Sequence, residues 1–178
     1  MDLYSENQNV TPVLDCDGFT LRPLVEGDVD ASVAGLSQWS VAKWLTSVPW
    51  PFEAKHAREF ITEIAPASDG PIWAIDDGGL MLGVVGADPN LGYWLHSDHH
   101  GKGIMTRAAG RVVDYVFEQG AAELVSGYIP GNAASCGVLT KLGFQDAYLE
   151  EVEQVATGEM VTLQRVVLTR EGWEARHG

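Results

Sequence analysis

Basic residues and cysteines are scarce in this chain of 178 residues. The 11 Lys and Arg stand against 25 Asp and Glu, so the formal net charge at pH 7 is −14. Nucleic acids and anionic membranes are bound through clustered basic side chains, and we therefore exclude both as the main partner. Cys16 and Cys136 lie in no metal-ligand spacing, which indicates ordinary reduced thiols.

Long apolar runs, repeats and low-complexity segments are also absent from the sequence. No stretch approaches the roughly 20 apolar residues that a membrane helix requires, and the first ten residues have neither the basic nor the apolar region of a targeting signal. Hydrophobic residues make up 46% of the chain, enough at this length for one sizeable core. We predict a single cytoplasmic domain, 1–178, with an N-terminal extension over residues 1–18.

The first half of the chain combines a short strand with amphipathic helices. We predict a strand over Phe19–Leu24, and then a helix from an N-cap at Asp28 to about Leu36. Apolar residues at the i, i+3, i+4, i+7 spacing of one buried face indicate a second helix, which Pro66 ends. Those residues are Ala57, Phe60, Ile61 and Ile64.

The second half begins with three short apolar runs that are separated by turns and predict antiparallel strands. The longest helix is expected directly after Gly103 and is stopped by Gly120. A strand, a helix capped by Gly143 and a final hairpin complete an α+β fold, in which a mixed, mostly antiparallel central sheet is flanked by helices. The expected ranges are 72–76, 80–86 and 91–95 for the three strands, 123–129 for the later strand, 133–142 for the helix, and 144–155 with 160–169 for the hairpin.

The residues that indicate a binding site run from Leu91 to Thr106, where a strand enters a loop with Gly101 and Gly103 and the loop opens into the longest helix. Glycines let successive backbone N–H groups converge, and the first turn of a helix adds unpaired donors and a partial positive charge. Together they predict an anion site suited to a pyrophosphate. The spacing is neither a Walker loop nor a complete dinucleotide fingerprint.

This loop resembles motif A of the GNAT superfamily of acyl-CoA-dependent N-acyltransferases. The motif reads Gln/Arg-x-x-Gly-x-Gly/Ala, and His100, Gly103 and Met105 stand at its defined positions. Two of the three depart from the pattern, because His100 replaces Gln or Arg and Met105 replaces the small residue. The backbone supplies most of such a site, so the departures are expected to change side-chain packing without removing the donors.

Segments outside the loop extend the resemblance. Asn132-Ala-Ala-Ser135 and the run 138–144 are similar to the branch that contains the ribosomal-protein alanine and serine N-acetyltransferases. The segment 21–24 resembles the opening strand of that branch, and the segment 168–173 resembles its closing strand. The likeness is ordered over about 19–173 and implies the GNAT fold.

The resemblance implies acetyl-CoA as cosubstrate. The loop amides would hold its pyrophosphate, with the pantetheine lying along the strand that ends at Leu95. We expect no metal, because the histidines of the loop lack a carboxylate ligand pattern. The implied cofactor-binding residues are Leu95, His99, His100, Gly101, Lys102, Gly103, Ile104, Met105, Thr106 and Asn132.

The implied reaction is attack of a neutral amine on the acetyl thioester, which needs an oxyanion donor, a route for the amine proton and a donor for the leaving thiolate. The backbone amide of Leu95 or His96 is the candidate oxyanion donor. Many family members place a tyrosine where this chain has Leu139, so Ser135 is the substitute donor to the thiolate. A structural hydrogen bond at the start of a helix is the alternative role of Ser135.

Candidates for the base and the acceptor site follow from the same resemblance. His96 is a candidate proton relay beside the thioester. Glu151 and Glu153 lie on the final hairpin, where the branch can present a carboxylate, and a solvated charged strand is the alternative interpretation. Three tryptophans fall in the segment that lines the acceptor site in this family: Trp39, Trp44 and Trp50.

The favoured acceptor is a primary amine at the N-terminus of a protein or peptide. An α-amine with a pKa of about 7.7 to 8.0 is roughly one tenth neutral at pH 7, whereas a lysine near 10.4 is neutral about once in 2,500 molecules. Two alternatives stay open. One is an acetyltransferase of a small cationic amine such as an aminoglycoside or polyamine, which the charge of −14 would attract. The other is a non-catalytic acyl-CoA-binding module, and a homodimer is compatible with each interpretation.

Overall fold

The computed structural model describes residues 10–177, which form two antiparallel sheets surrounded by helices. The first sheet has the strand order β1-β2-β3-β4-β5, and the second has the order β6-β8-β7. The strands of the first sheet are β1 Leu14–Cys16, β2 Phe19–Pro23, β3 Ile72–Asp76, β4 Met81–Ala87 and β5 Leu91–Leu95. Those of the second are β6 Glu123–Tyr128, β7 Gln145–Glu153 and β8 Met160–Thr169.

Helices cover both faces of the first sheet and close the ends of the second. They are α1 Val29–Leu36, α2 Trp39–Ala42, α3 Ala54–Glu59, α4 Ala65–Ala67, α5 Ile104–Glu118, α6 Ala133–Leu142 and α7 Arg170–His177. A π-helical turn, Phe60–Ile64, joins α3 to α4. Within residues 10–177 no helix combines the length and the apolar character needed to cross a membrane.

Helix α5 organises the main core. Its apolar side chains recur at the spacing of one helical face, and that face packs against β1, β4 and β5. Strand β4 is buried at all seven positions, because α5 covers one of its faces and α1 the other. This explains why β4 is a continuous apolar run in the sequence instead of an alternating one. The buried α5 residues are Met105, Ala108, Ala109, Val112, Val113 and Phe117.

Helix α1 approaches β5 closely at a glycine. A Cβ atom built on Gly35 would lie 2.3 Å from the ring of Trp94, so any side chain there would displace the tryptophan. Trp94 therefore fills the space that Gly35 leaves, and the two residues fix the distance between α1 and β5. Because side chains alternate along a strand, Trp94 points to the α1 side and its neighbours Tyr93 and Leu95 to the α5 side.

The two sheets meet between β5 and β6, where the ladder of backbone hydrogen bonds is interrupted. The hydroxyl of Ser126 on β6 donates to the carbonyl of Leu91 at 2.8 Å, so the strands touch at the beginning of β5. The predicted α+β class with a mostly antiparallel sheet is confirmed, and so are the bounds of β5 and α6. The division of the central sheet into two was not predicted.

The chain ends differ from the expectation. Residues 1–9 of the predicted extension lie outside the described residues, whereas Leu14–Cys16 pairs with β2 and belongs to the first sheet. The final strand was predicted over 160–169, and β8 confirms these bounds. The segment 168–173, which resembles the closing strand of the branch, is a strand only as far as Thr169, because α7 begins at Arg170. The indole of Trp173 stacks on Phe117 and donates to Asp114, and these contacts hold α7 against α5.

Two details of the early helices also need correction. Asp28 stands at the N-cap position of α1, as predicted, but its side chain makes no cap bond to the helix. Its carboxylate instead accepts hydrogen bonds from Arg22 at 2.8 and 2.9 Å and from the amide of Val25. Ile64 is exposed, although the spacing predicts a buried face. The π-helical turn adds a residue to that turn, so the i+7 position no longer returns to the core.

Candidate active site

The loop between β5 and α5 turns on two glycines. Gly101 and Gly103 have φ angles of +74° and +72°, a left-handed conformation that glycine adopts without strain. Gly103 stands at the N-cap of α5, and the amide of Arg107 makes the first helical bond to its carbonyl at 3.2 Å. The amides of residues 104–106 therefore precede the first helical hydrogen bond, as predicted for an anion site.

The free donors begin two residues later than the sequence predicts. The amides of His99 and His100 are bonded to the carbonyls of His96 and Ser97, at 3.0 and 3.2 Å. Within the part of the chain that the structure describes, the amides of residues 101–106 donate to no protein acceptor. These amides and the positive end of the α5 dipole form one electropositive edge.

His100 has a clear role at the motif position where Gln or Arg is usual. Its Nε2 lies 2.7 Å from the carbonyl oxygen of Leu95. Because a carbonyl only accepts, the imidazole nitrogen must carry a proton and donate. This hydrogen bond thus holds the loop against the end of β5, as a Gln or Arg side chain at this position could also do.

The open side of β5 presents backbone donors to the gap between the sheets. The amide of His96 bonds to the carbonyl of Leu82 at 2.9 Å, so alternate residues of β5 point their amides at β4. The amides of Tyr93 and Leu95 therefore point the opposite way, towards β6. Of the two predicted oxyanion donors, His96 is already engaged and Leu95 is available.

A cleft of about 520 Å³ occupies the gap. It is bounded by β5, the loop, the end of β6, the first turns of α6, and part of the α2 region. Among the residues that the structure describes, no Asp or Glu lies in its lining. The lining residues that were predicted as site residues are Trp44, Leu95, His99, His100, Gly101, Gly103, Ile104, Met105, Thr106, Asn132 and Ser135. The side chain of Lys102 is exposed and lies outside the lining.

Asn132 and Ser135 occupy the start of α6 on the far side of the cleft from the loop. The Asn132 side chain accepts a hydrogen bond from the Ser135 amide at 3.2 Å and so caps the helix. The Ser135 hydroxyl lies 2.9 Å from the hydroxyl of Tyr93 on β5. Leu139, which stands where many relatives have a tyrosine, is buried in the main core.

Two tyrosines at the cleft have strongly perturbed acidity. Burial raises the pKa of Tyr93 to about 12, against a smaller opposite effect of its bond to Ser135. The hydrogen bond between Tyr128 and Cys136 raises the pKa of Tyr128 to about 12 as well, with burial as a second cause. Both phenols are therefore protonated donors at neutral pH. Neither was predicted, because a single tyrosine on a strand is usually part of a core.

The acceptor side of the cleft contains only one of the three predicted tryptophans. Trp44 lies in the lining, whereas Trp39 and Trp50 pack edge to face against each other at 4.9 Å outside it. The connector that carries Trp44 is held by Gln154, whose side-chain amide donates to the carbonyls of Lys43 and Leu45 at 2.9 and 3.0 Å. Gln154 is buried beyond the end of β7, and no motif in the sequence predicts this contact.

The candidate base residues are not brought into the cleft. Nδ1 of His96 accepts a hydrogen bond from the Asp98 amide at 3.2 Å, and His96 is outside the lining. Glu153 is exposed on β7, and Glu151 beside it accepts a hydrogen bond from Thr162. Across residues 10–177 no group of three or more His, Cys, Asp or Glu side chains is arranged to hold a metal ion.

The run of free amides between β5 and α5 is the anion site that the resemblance to the GNAT N-acyltransferases predicts. A sequence profile of the acetyltransferase (GNAT) domain matches residues 19–145. Because this match covers more than half of the chain, the protein belongs to the GNAT acetyltransferase family. The predicted family is confirmed, with residues 19–145 as the acetyltransferase (GNAT) domain.

Individual relatives agree with this assignment. YjcK of Bacillus subtilis (strain 168), a probable N-acetyltransferase, is 47% identical over 55 residues, which are 30% of this chain and 30% of that protein. The ribosomal-protein-S5-alanine acetyltransferase of Vibrio fischeri has a similar fold, with a TM-score of 0.69, 19% identity, and coverage of 91% of this chain and 98% of that one.

A third relative was solved with ligands. The microcin C7 self-immunity acetyltransferase MccE, in complex with acetyl-CoA and AMP, has a TM-score of 0.73 and 19% identity, with coverage of 86% of this chain and 93% of that one. At these identities the two solved structures show that the fold is shared.

Proposed function

We propose that this protein transfers the acetyl group of acetyl-CoA to the N-terminal α-amine of a protein or peptide. The observation that carries the proposal is the run of free amides at residues 101–106, which opens into a cleft with Leu95 and Ser135 on its two sides. MccE, which shares the fold, was crystallised with acetyl-CoA, and this supports the choice of cosubstrate.

The cofactor has a defined position in this proposal. Its pyrophosphate accepts hydrogen bonds from the free amides, where the α5 dipole also favours negative charge. Its pantetheine arm lies in the gap beside β5 and bonds to the backbone of Tyr93 as an added strand would. The thioester then reaches the end of β5, between the Leu95 amide and the start of α6. His100 takes part by holding the loop to Leu95.

The transfer requires only groups that the cleft contains. The amine nitrogen attacks the carbonyl carbon, and the oxygen becomes an oxyanion that accepts a hydrogen bond from the Leu95 amide. The carbon–sulfur bond breaks as the amide product forms. The Ser135 hydroxyl gives its proton to the departing sulfur, which becomes the thiol of CoA. One proton of the attacking amine then restores the Ser135 hydroxyl.

The acceptor assignment rests on the lack of a carboxylate base among the described residues that line the cleft. Deprotonating a lysine costs about 3.3 to 3.7 kcal/mol more than deprotonating an α-amine, and within residues 10–177 no carboxylate lines the cleft to offset this cost. An α-amine is already roughly one tenth neutral at pH 7 and therefore needs less help from a base. The same lack of carboxylates disfavours a polyamine or aminoglycoside, which would require acidic partners near the thioester.

A peptide with two competing amines tests the acceptor. We expect a peptide with a free N-terminal Ala or Ser and an internal Lys to release CoA from acetyl-CoA and to gain one acetyl group on the α-amine, located by mass spectrometry. The matched control is the same peptide with a formylated N-terminus, which should release CoA at a rate lower by at least about tenfold.

The other outcomes decide between the alternatives. Acetylation chiefly on the lysine would contradict the α-amine assignment. Rapid turnover of spermidine or an aminoglycoside with no peptide acetylation would favour a small cationic acceptor. Binding of acetyl-CoA without turnover of any amine would favour a non-catalytic binding module.

A further inference from the structure

Tyr93 makes the closest side-chain contact to Ser135. Its phenol crosses from β5 to the first turn of α6, and its oxygen lies 2.9 Å from the Ser135 hydroxyl and 3.4 Å from the Ser135 carbonyl. Tyr93 lies on the same face of β5 as Leu91 and Leu95 and lines the cleft together with Ser135. The contact therefore joins the two walls of the cleft next to the expected thioester.

Either hydroxyl can donate in this hydrogen bond, and its surroundings provide for donation by Tyr93. The Ser135 carbonyl lies in the first turn of α6, where it accepts the helical bond from the amide four residues later. The shorter contact, to the hydroxyl, is therefore the main one for the Tyr93 proton. Burial raises the pKa of Tyr93 to about 12, so the phenol keeps its proton throughout the neutral range. Tyr93 can therefore donate to the Ser135 oxygen, and this is the direction that the inference uses.

A serine that accepts from Tyr93 keeps its own hydrogen for another partner. A serine in a helix otherwise tends to donate to the carbonyl three or four residues earlier, which would turn its hydrogen away from the cleft. The backbone of Ser135 is already fixed by the Asn132 cap. Only the rotation of the hydroxyl remains to be set, and the Tyr93 bond sets it.

We propose that Tyr93 is the positioning residue of the transfer: its phenol donates to the Ser135 oxygen and thereby directs the Ser135 hydrogen at the sulfur of the leaving thiolate. This inference rests on the proposed function. Tyr93 changes no bond itself, and its proton stays on the phenol oxygen throughout the cycle. Its effect is confined to the step in which the carbon–sulfur bond breaks.

A double-mutant cycle with Tyr93→Phe and Ser135→Ala tests the inference. We expect Tyr93→Phe to lower kcat by about tenfold, the value of one lost hydrogen bond in the transition state. Ser135→Ala should lower kcat by about 100-fold. The double variant should be no slower than Ser135→Ala alone, because Tyr93 acts through Ser135.

Binding measurements separate positioning from folding. The Kd for CoA, measured by calorimetry, should stay within about twofold of the wild-type value in both single variants, since neither side chain is proposed to bind the pyrophosphate. The matched control is Tyr148→Phe, the same substitution at an exposed tyrosine on β7 outside the cleft, and it should leave kcat unchanged.

Three results would overturn the inference. Wild-type kcat in Tyr93→Phe would show that the bond does not matter. A further tenfold loss when Tyr93→Phe is added to Ser135→Ala would show that Tyr93 acts independently. A Kd for CoA that rises in parallel with the loss of kcat would indicate a structural role. If the wild-type protein turned over no amine, the proposed function would be contradicted together with this inference. The first three results would contradict this inference alone.

Discussion

Gly103 is the residue on which the cofactor site depends most directly. It stands at the N-cap of α5 with a φ of +72°, and a Cβ atom built on it meets no protein atom within 4 Å. A side chain there would therefore fit the free protein but project from the amide-lined edge into the space of the pyrophosphate. We predict that Gly103→Val raises the Kd for CoA by at least about tenfold, measured by calorimetry.

Gly158 supplies a matched control for backbone strain. Its φ is +71°, its added Cβ also meets nothing within 4 Å, and it lies in the β7–β8 turn outside the cleft. Gly158→Val should carry the same conformational penalty and leave the Kd unchanged. Equal losses of affinity in the two variants, or wild-type affinity in folded Gly103→Val, would contradict the assignment of the loop.

Single residues differ in how far the sequence reveals them. Gly101, Gly103 and Ser135 are predictable because their roles depend on local spacing within a few residues. Tyr93 acts on a residue 42 positions away and Gln154 on carbonyls 109 and 111 positions away. No periodicity or motif encodes such pairs in one sequence, so only the tertiary fold shows them.

At the scale of elements, Arg22 joins β2 to its neighbours. Its guanidinium bonds to Asp28 in the turn before α1 and to Asp76 at the end of β3, the latter at 2.6 Å. The hydrogen bond from Arg22 lowers the pKa of Asp76 below its usual value. The pairing therefore stabilises the fold above the unfolded pKa of about 3.9 and is lost as the pH falls through the native value.

We predict that Asp76→Asn lowers the free energy of unfolding at pH 7 by about 1 to 2 kcal/mol. The deficit relative to the wild-type protein should be constant from pH 6 to 8 and should shrink below about pH 4, in urea titrations. Asp77→Asn is the control, because Asp77 is exposed and an amide oxygen can still accept from Gly79. A deficit that persists unchanged at pH 3 would show that charge is not the cause.

Elements with strong local patterns were predictable, and those defined by packing were not. Helix α5 has an apolar stripe with glycines beyond both ends, and its start was predicted to the residue. Strand β1 has three residues and is defined by its pairing with β2. Helix α7 is polar, with no buried residue, and is held by Trp173. Its sequence alone has no apolar stripe at helical spacing that would have predicted the helix.

At the scale of the whole molecule, the gap between the sheets predicts where the cofactor protects the backbone. We expect saturating CoA to slow hydrogen exchange at the amides of Tyr93 and Leu95, which point into the gap. The amides of Gly92 and Trp94 are directed at β4 and should change much less. Mass spectrometry or NMR checks this, and equal protection of the four amides would contradict an added-strand mode of binding.

The interrupted ladder between β5 and β6 has a consequence for the lifetime of the protein in a cell. The two sheets meet at β5 and β6, whose backbones do not form a continuous ladder of hydrogen bonds. A bound acyl donor would add contacts between the sheets at this interruption. A ligand that binds only the folded state stabilises it by about 2.7 kcal/mol at a concentration of 100 times its Kd. Degradation of the protein should then slow when acetyl-CoA is abundant and accelerate when it is scarce, and pulse proteolysis at several cofactor concentrations measures this dependence.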